Sequence, residues 1–156
     1  FFSYFNGHFY SLYLCLLLGM YLMRKQIDFS NLILKKTPNQ YLCLPKGFNS
    51  LSKPHQFSSN YNVSAGVLQS VWYKIVIKQR SVKCIFNDEN SLKSEFTQLS
   101  RVFKFIDIIS VEFIEKSHNL SSIAIYSRSV LGYYDFNVNR NRVICWLKTF
   151  NRELNY

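Results

Sequence analysis

Every Lys, Arg, Asp and Glu in this chain lies after Met23, so the first 23 residues carry no charged side chain, while 19 basic and 9 acidic groups follow for a net charge of +10. A chain divided in this way does not read as one uniformly amphipathic body. The opening "FFSYFNGHFYSLYLCLLLGMYLM" has an apolar second half, and as a helix it would run roughly 35 Å at ~1.5 Å per residue, enough to cross a hydrocarbon core. Phe9 and its aromatic neighbours suit one interface, Leu14 and Leu17 the apolar centre, Tyr21 the other interface, and Arg24 with Lys25 the boundary. The expectation is a retained transmembrane anchor over residues 1–25, in preference to a targeting core that is later removed or a hydrophobic helix inside a soluble domain. Arg24, Lys25, Lys35 and Lys36 all follow the span, which by the positive-inside tendency places the rest of the chain on the stromal or matrix side.

The length of 156 residues suits one domain with a real core. The basic excess points to an acidic neighbour, whether headgroups, a protein surface or nucleic acid. The cations are scattered as singles and pairs rather than interleaved with aromatics, so a solvated basic face is expected and no nucleic-acid partner. Cys15, Cys43, Cys84 and Cys145 are far apart with no C-x-x-C, and His8, His55 and His118 are isolated. That spacing gives no metal site and no nucleophile beside a base. Asn62 and Asn119 open N-x-S triplets, a pattern informative only in a secreted chain.

Residues 26–62 hold Pro38, Pro45 and Pro54 and show no sustained period, which reads as an extended linker. Its apolar residues, Leu32, Ile33, Leu34 and Phe48 among them, are too many to leave in water and are expected to contact a partner. After Ser64, a possible cap, Val67, Leu68, Val71, Trp72, Ile75 and Val76 form a helical stripe whose β-branched tail "KIVIK" should end it near Val76. Alternation then marks strands in "SVKCIFND", "SLKSEFTQLS", "FKFIDIISVEFIEK" and "SSIAIYSRSV". Val143, Trp146, Leu147 and Phe150 form a second helical stripe, with Asn137 or Asn139 placed to cap it. The expected fold is α+β: an antiparallel sheet of about four strands with two helices packed on it over residues 63–156, preceded by one transmembrane helix and the linker.

The block "SRSVLGYYDFNVNRNRV", Ser127 to Val143, resembles the signature of the family catalogued as domain of unknown function 1499, typically R-S-A-S-R-x-G-x-S-D-x-G-x-N-R-x-R-V. Gly132, Asp135, Val138, Asn139, Arg140, Arg142 and Val143 match it, as do Ser127 and Ser129. "LKSEF", "FKFID" (Phe103 to Asp107) and "CLPKGFNSLS" (Cys43 to Ser52) are similar to further family segments. Tyr126 and Val130 replace the two arginines of R-S-A-S-R, Ile108 a second aspartate, Asn137 a glycine and Ser50 a second cysteine. The resemblance implies an α+β domain, often secreted or membrane-attached, with no established reaction, occurring in proteobacteria, cyanobacteria and photosynthetic eukaryotes.

An enzyme would draw on Asp135, Glu95, Arg140 and Arg142, an aspartate with arginines able to hold a phosphate or carboxylate and a glutamate able to move a proton if buried. The plainer reading of Gly132, Asp135, Asn139, Arg140 and Arg142 is a structural motif, with Asp135 paired to Arg140 or Arg142 and Asn139 capping the helix. A lipid- or pigment-binding pocket would be lined by Trp72, Phe96, Phe105, Phe113 and Trp146, residues at core spacing. The expected function is therefore a non-catalytic accessory subunit of an organellar membrane protein complex. The photosystem or antenna of a thylakoid membrane comes first, on the lineage hint of the resemblance, and a respiratory complex of the mitochondrial inner membrane second. Partner subunits and the lipid bilayer are its expected contacts, with no cofactor of its own and at most peripheral touch with pigment or lipid.

Overall fold

The stretch read as a linker supplies three strands of the sheet, Gln40–Pro45 among them pairing with Leu120–Ser129. In the computed structural model, which describes residues 26–100 and 105–156, the elements run β1 (Gln40–Pro45), β2 (Gln56–Ser58), β3 (Asn60–Tyr61), α1 (Ala65–Val76), β4 (Val82–Asp88), β5 (Lys93–Leu99), β6 (Ile106–Ser117), β7 (Leu120–Ser129) and α2 (Val138–Glu153). The strands form one sheet in the order β2-β1-β7-β6-β5-β4, with β3 also on β7. β1 and β2 are parallel, Cys43 opposite Gln56, and the other pairs are antiparallel.

This corrects the expected architecture of a transmembrane helix ahead of a four-stranded antiparallel sheet. The sheet is seven-stranded and mixed, and no helix among the described residues is long and apolar enough to cross a membrane. Phe9, Leu14, Leu17, Tyr21 and Arg24, assigned to an anchor, lie outside the described residues, as does Phe103. The strands missed are β1, β2 and β3. All six residues of β1 are buried, so it lacks the wet face whose polar residues produce alternation, and β2 and β3 have only three and two residues.

On one face of the sheet lies the main core. α1 contributes Leu68, Trp72 and Val76, α2 contributes Val143, Trp146, Leu147 and Phe150, and the strands answer with Tyr41, Cys43, Phe96, Ile109, Val111, Phe113, Ile123 and Ile125. Trp72 meets Trp146 and Phe150 edge-on, with ring centroids 6.0 and 5.2 Å apart, the geometry that places a ring's positive rim on its neighbour's negative face. Ser64 Oγ accepts from Val67 N at 3.5 Å to start α1. Its helix stops at Val76, where the β-branched tail begins to lose rotamer freedom.

Cys43 is fully buried in this core, and desolvation pushes its thiol from 9.0 up to about 12. Because the folded value is the higher, the contribution to stability is intact below pH 9 and is lost as pH rises from 9 towards about 12. Iodoacetamide at pH 8 should therefore alkylate the exposed Cys145 in a Cys15→Ser background and spare Cys43 until the chain unfolds. Equal labelling of both thiols in mass-spectrometric peptide maps would contradict this burial.

The opposite face is covered by the chain's own leading segment. Phe29 and Leu32 pack on Leu42, Leu44, Ala124 and Tyr126, with Ile27, Leu34 and Phe48 at the margin. The strap is tied internally: Ser50 Oγ donates to Phe29 O at 2.7 Å, Ser52 Oγ donates to Leu32 O at 2.8 Å, and Leu34 N donates to Ser52 Oγ at 3.0 Å. Gln40 Nε2 adds bonds to Lys35 O and Thr37 O. Of the residues expected to contact a partner, Leu32 is buried against its own sheet and Leu34 and Phe48 are partly covered there. Ile33 alone of the four points outward, 75% exposed. The apolar residues of the segment needed cover, and β1 is the surface that both supplies and requires it.

Candidate docking site

Strand alternation puts Asp107 on the helix side of β6, two residues before Ile109, and Ser127 and Ser129 on the same side of β7, two and four after Ile125. A carboxylate on an otherwise apolar row must be paired there. Its partner is Arg142 from the second turn of α2: Nη2 lies 2.5 Å from Asp107 Oδ2, with both side chains buried. The Nε and Nη1 donors are also placed, Nε to Gln98 Oε1 at 2.6 Å and Nη1 to Ser127 Oγ at 2.9 Å and Asn139 Oδ1 at 2.7 Å.

Asn139 is wholly buried and is the hub. Its carbonyl oxygen accepts from Ser127 and Arg142, and its amide nitrogen contacts Asn39 O, Ser129 Oγ and Asp135 Oδ2. The helix start differs from expectation accordingly. Neither Asn137 nor Asn139 caps α2 with its side chain; Asp135 does so from outside the helix, accepting from Asn139 N at 2.9 Å and Asn137 N at 3.1 Å. That carboxylate therefore satisfies orphan N–H groups and complements the helix dipole. The expected Asp135–Arg pair is not formed: Arg142 takes Asp107, and Arg140 is exposed.

The groups an enzyme would need are likewise separated. Glu95 lies on the strap side of the sheet, where it pairs with Arg128 at 3.6 Å and accepts a short bond from Ser110 Oγ. Arg128 sits 4.7 Å above the Tyr126 ring, and Tyr126 Oη donates to Gln40 Oε1 at 2.6 Å. The sheet itself stands between Glu95 and the Asp107–Arg142 pair. Trp72, Phe96, Phe113 and Trp146, considered as a pocket lining, pack together in the main core, while Phe105 is exposed at the end of the sheet. Asp107, Ser127, Ser129, Gln98 and Asn39 belong to the network without having been singled out as site residues. The usable signal was a charged residue in phase with Ile109, Val111 and Phe113 on one strand.

What the network holds up is the segment of residues 131–138. Gly132 adopts φ +88°, and its carbonyl accepts from Asn39 Nδ2 at 2.5 Å. Asn137 has φ +63°, where the resembling signature carries glycine and where asparagine is among the better tolerated substitutes. Phe136 also stands at φ +52°, a left-handed conformation costing on the order of 1–3 kcal/mol for a bulky residue. Between these fixed points Tyr133, Tyr134 and Phe136 project outward, 67%, 62% and 71% exposed. Tyr134 meets Phe136 edge-on at 5.7 Å, and Leu131, Val138 and Phe105 add partly open apolar surface. The result is an aromatic platform on a braced and strained loop.

A family model described as Protein of unknown function (DUF1499) matches residues 36–150, a span that begins just before β1 and ends within α2. No curated protein matches the chain. A solution NMR structure of a protein from Thermobifida fusca is similar at 8% identity and a TM-score of 0.41, over 61% of this chain and 91% of that one; a likeness at that level constrains neither fold nor function.

Proposed function

Since the chain belongs to the family of proteins of unknown function DUF1499, whose description specifies no reaction, we propose from the geometry that it is a non-catalytic accessory subunit that docks on a neighbouring subunit of a membrane protein complex through residues 131–138. The observation that carries this reading is Phe136, a bulky side chain held at positive φ and left 71% exposed. A bulky side chain that costs stability where it stands, and whose ring touches Tyr134 but is otherwise mostly in water, points to a role outside its own fold. Tyr133 and Tyr134 beside it are of the type that dominates binding energy at interfaces. Asp135, Asn139 and Arg142 are committed to one another, to Asp107 and to the backbone, so the motif's polar groups support the platform rather than face a substrate. A thylakoid photosynthetic complex is the first candidate assembly and a mitochondrial respiratory complex the second, supported by the lineage of the sequence resemblance.

Phe136→Gly separates docking from folding. Glycine removes the left-handed strain, ~1–2 kcal/mol, against ~0.5–1 kcal/mol of added chain entropy, so the melting temperature should hold or rise. Combined with Tyr133→Ser and Tyr134→Ser, the same change should move the protein from a high-mass band, shared in stoichiometric amount with core subunits after mild-detergent extraction, to the position of free protein. Retention of the triple variant in that band would overturn the proposal. Binding of the wild type to lipid vesicles without any subunit partner would overturn it in favour of a lipid-directed platform.

A further inference from the structure

The outer side of α2 carries a second surface, away from the aromatic loop: Lys148 lies about 15 Å along the helix axis from Val138 at ~1.5 Å per residue. A groove of about 700 Å³ runs there between the helix and the edge of the sheet, its lining including Gln56 of β2, Ile144, Lys148, Arg152, Asn155 and Tyr156. Among the described residues β2 is the outermost strand and pairs with β1 alone, so within them it leaves an open backbone edge beside the groove. The far end is held in place, with Tyr61 Oη donating to Asn151 Oδ1 at 2.8 Å and the Tyr156 ring edge-on to Tyr61 at 5.2 Å.

The charge of this surface is one-sided. Arg140, Lys148 and Arg152 fall at intervals of eight and four residues on the exposed side of α2, and among the described residues none of them makes an ion pair. No Asp or Glu lines the groove among the described residues. Ile144 gives it an apolar wall, and Gln56 and Asn155 add amides able to bond a peptide backbone. Two cations over an apolar wall, beside an open strand edge, are complementary to an extended chain with acidic and apolar residues in alternation, since successive side chains of such a chain point to opposite sides.

We infer that this groove receives an extended acidic segment of a protein partner, with Lys148 and Arg152 holding its carboxylates. A membrane surface fits less well, because the site is concave and the exposed aromatic platform lies at the other end of the helix. Nucleic acid would want aromatic faces free to stack between the cations, whereas Tyr156, the one aromatic in the groove lining among the described residues, is engaged edge-on with Tyr61 and accepts from Asn62 N.

Fluorescence anisotropy with the full chain and a labelled octapeptide of alternating Glu and Leu tests this. Lys148→Glu with Arg152→Glu should weaken binding about tenfold or more, with only the small drop in melting temperature that carboxylates near the C-terminus of α2 bring. Reversing the exposed Lys35 and Lys36 instead, an equal change in net charge, should leave affinity within about twofold. The aromatic-loop triple variant should bind the peptide as the wild type does, so failure of the docking loop and failure of the groove are told apart. Absence of binding, equal loss in both reversals, or stronger attachment to phosphatidylserine vesicles that depends on Lys148 and Arg152 would each overturn the assignment.

Discussion

Asp107→Ala should destabilise the domain by about 3–5 kcal/mol, because it leaves the guanidinium of Arg142 buried with its charge uncompensated. Both members of the pair are buried, and no other carboxylate lies within ion-pair distance of Arg142 among the described residues. The neighbouring acceptors, Gln98, Ser127 and Asn139, are neutral and satisfy geometry without supplying charge. Arg142→Lys should also be costly, since a single ammonium cannot reach the acceptors on Nε, Nη1 and Nη2 at once. The double variant Asp107→Ala/Arg142→Met should recover much of the single loss, as removal of both charges leaves no ion stranded in the core. Urea unfolding measures all three. A loss under about 1 kcal/mol for Asp107→Ala would mean that water reaches the pair and that the network does not brace the loop.

The reach of the sequence can be judged on the same residues. Val143, Trp146, Leu147 and Phe150 were legible as a helix face because one side of α2 is wet, and that contrast is what period-based reading detects. β4 to β7 were legible because their sequences alternate apolar with polar or small residues, and β7 does so although nearly all of it is buried. β1 was hidden because both of its faces are apolar: Tyr41 and Cys43 face the helices, Leu42 and Leu44 face the strap, so the run carries no alternation to find. Mistaking it for linker left Leu32, Leu34 and Phe48 without the cover that β1 and β7 give them. The motif residues were identifiable as a group, but their pairing was not. Asp135 and Asp107 offered Arg142 rival carboxylates, and only the register of β6 on β7, with Asp107 opposite Ser129, decides between them. The positive φ of Phe136 has no counterpart in its residue type, which is why the platform was illegible.

Phe29→Ala should cost about 3–5 kcal/mol, whereas Ile33→Ala, four residues along the same strap, should cost under about 0.5 kcal/mol. Phe29 is 1% exposed and rests on the strap side of β1 and β7 with Leu42, Leu44, Ala124 and Tyr126. Truncating it removes a buried ring and leaves a cavity that the neighbouring strap residues cannot close, since Ser50 and Ser52 hold the segment's carbonyls in register. Ile33, 75% exposed, loses little on truncation because it is already in water. Had the segment been a linker shaped to fit a neighbour, both substitutions would leave the isolated domain equally stable and affect only assembly. The two readings therefore separate in thermal melts of purified protein: a large drop for Phe29→Ala beside an unchanged Ile33→Ala identifies the strap as an integral layer of the fold. Equal, small effects would return residues 26–38 to the role of a tether. If the strap holds as a layer, docking rests on surfaces that stay exposed when it is in place, and the platform around Phe136, with Tyr133 and Tyr134 beside it, is one of these.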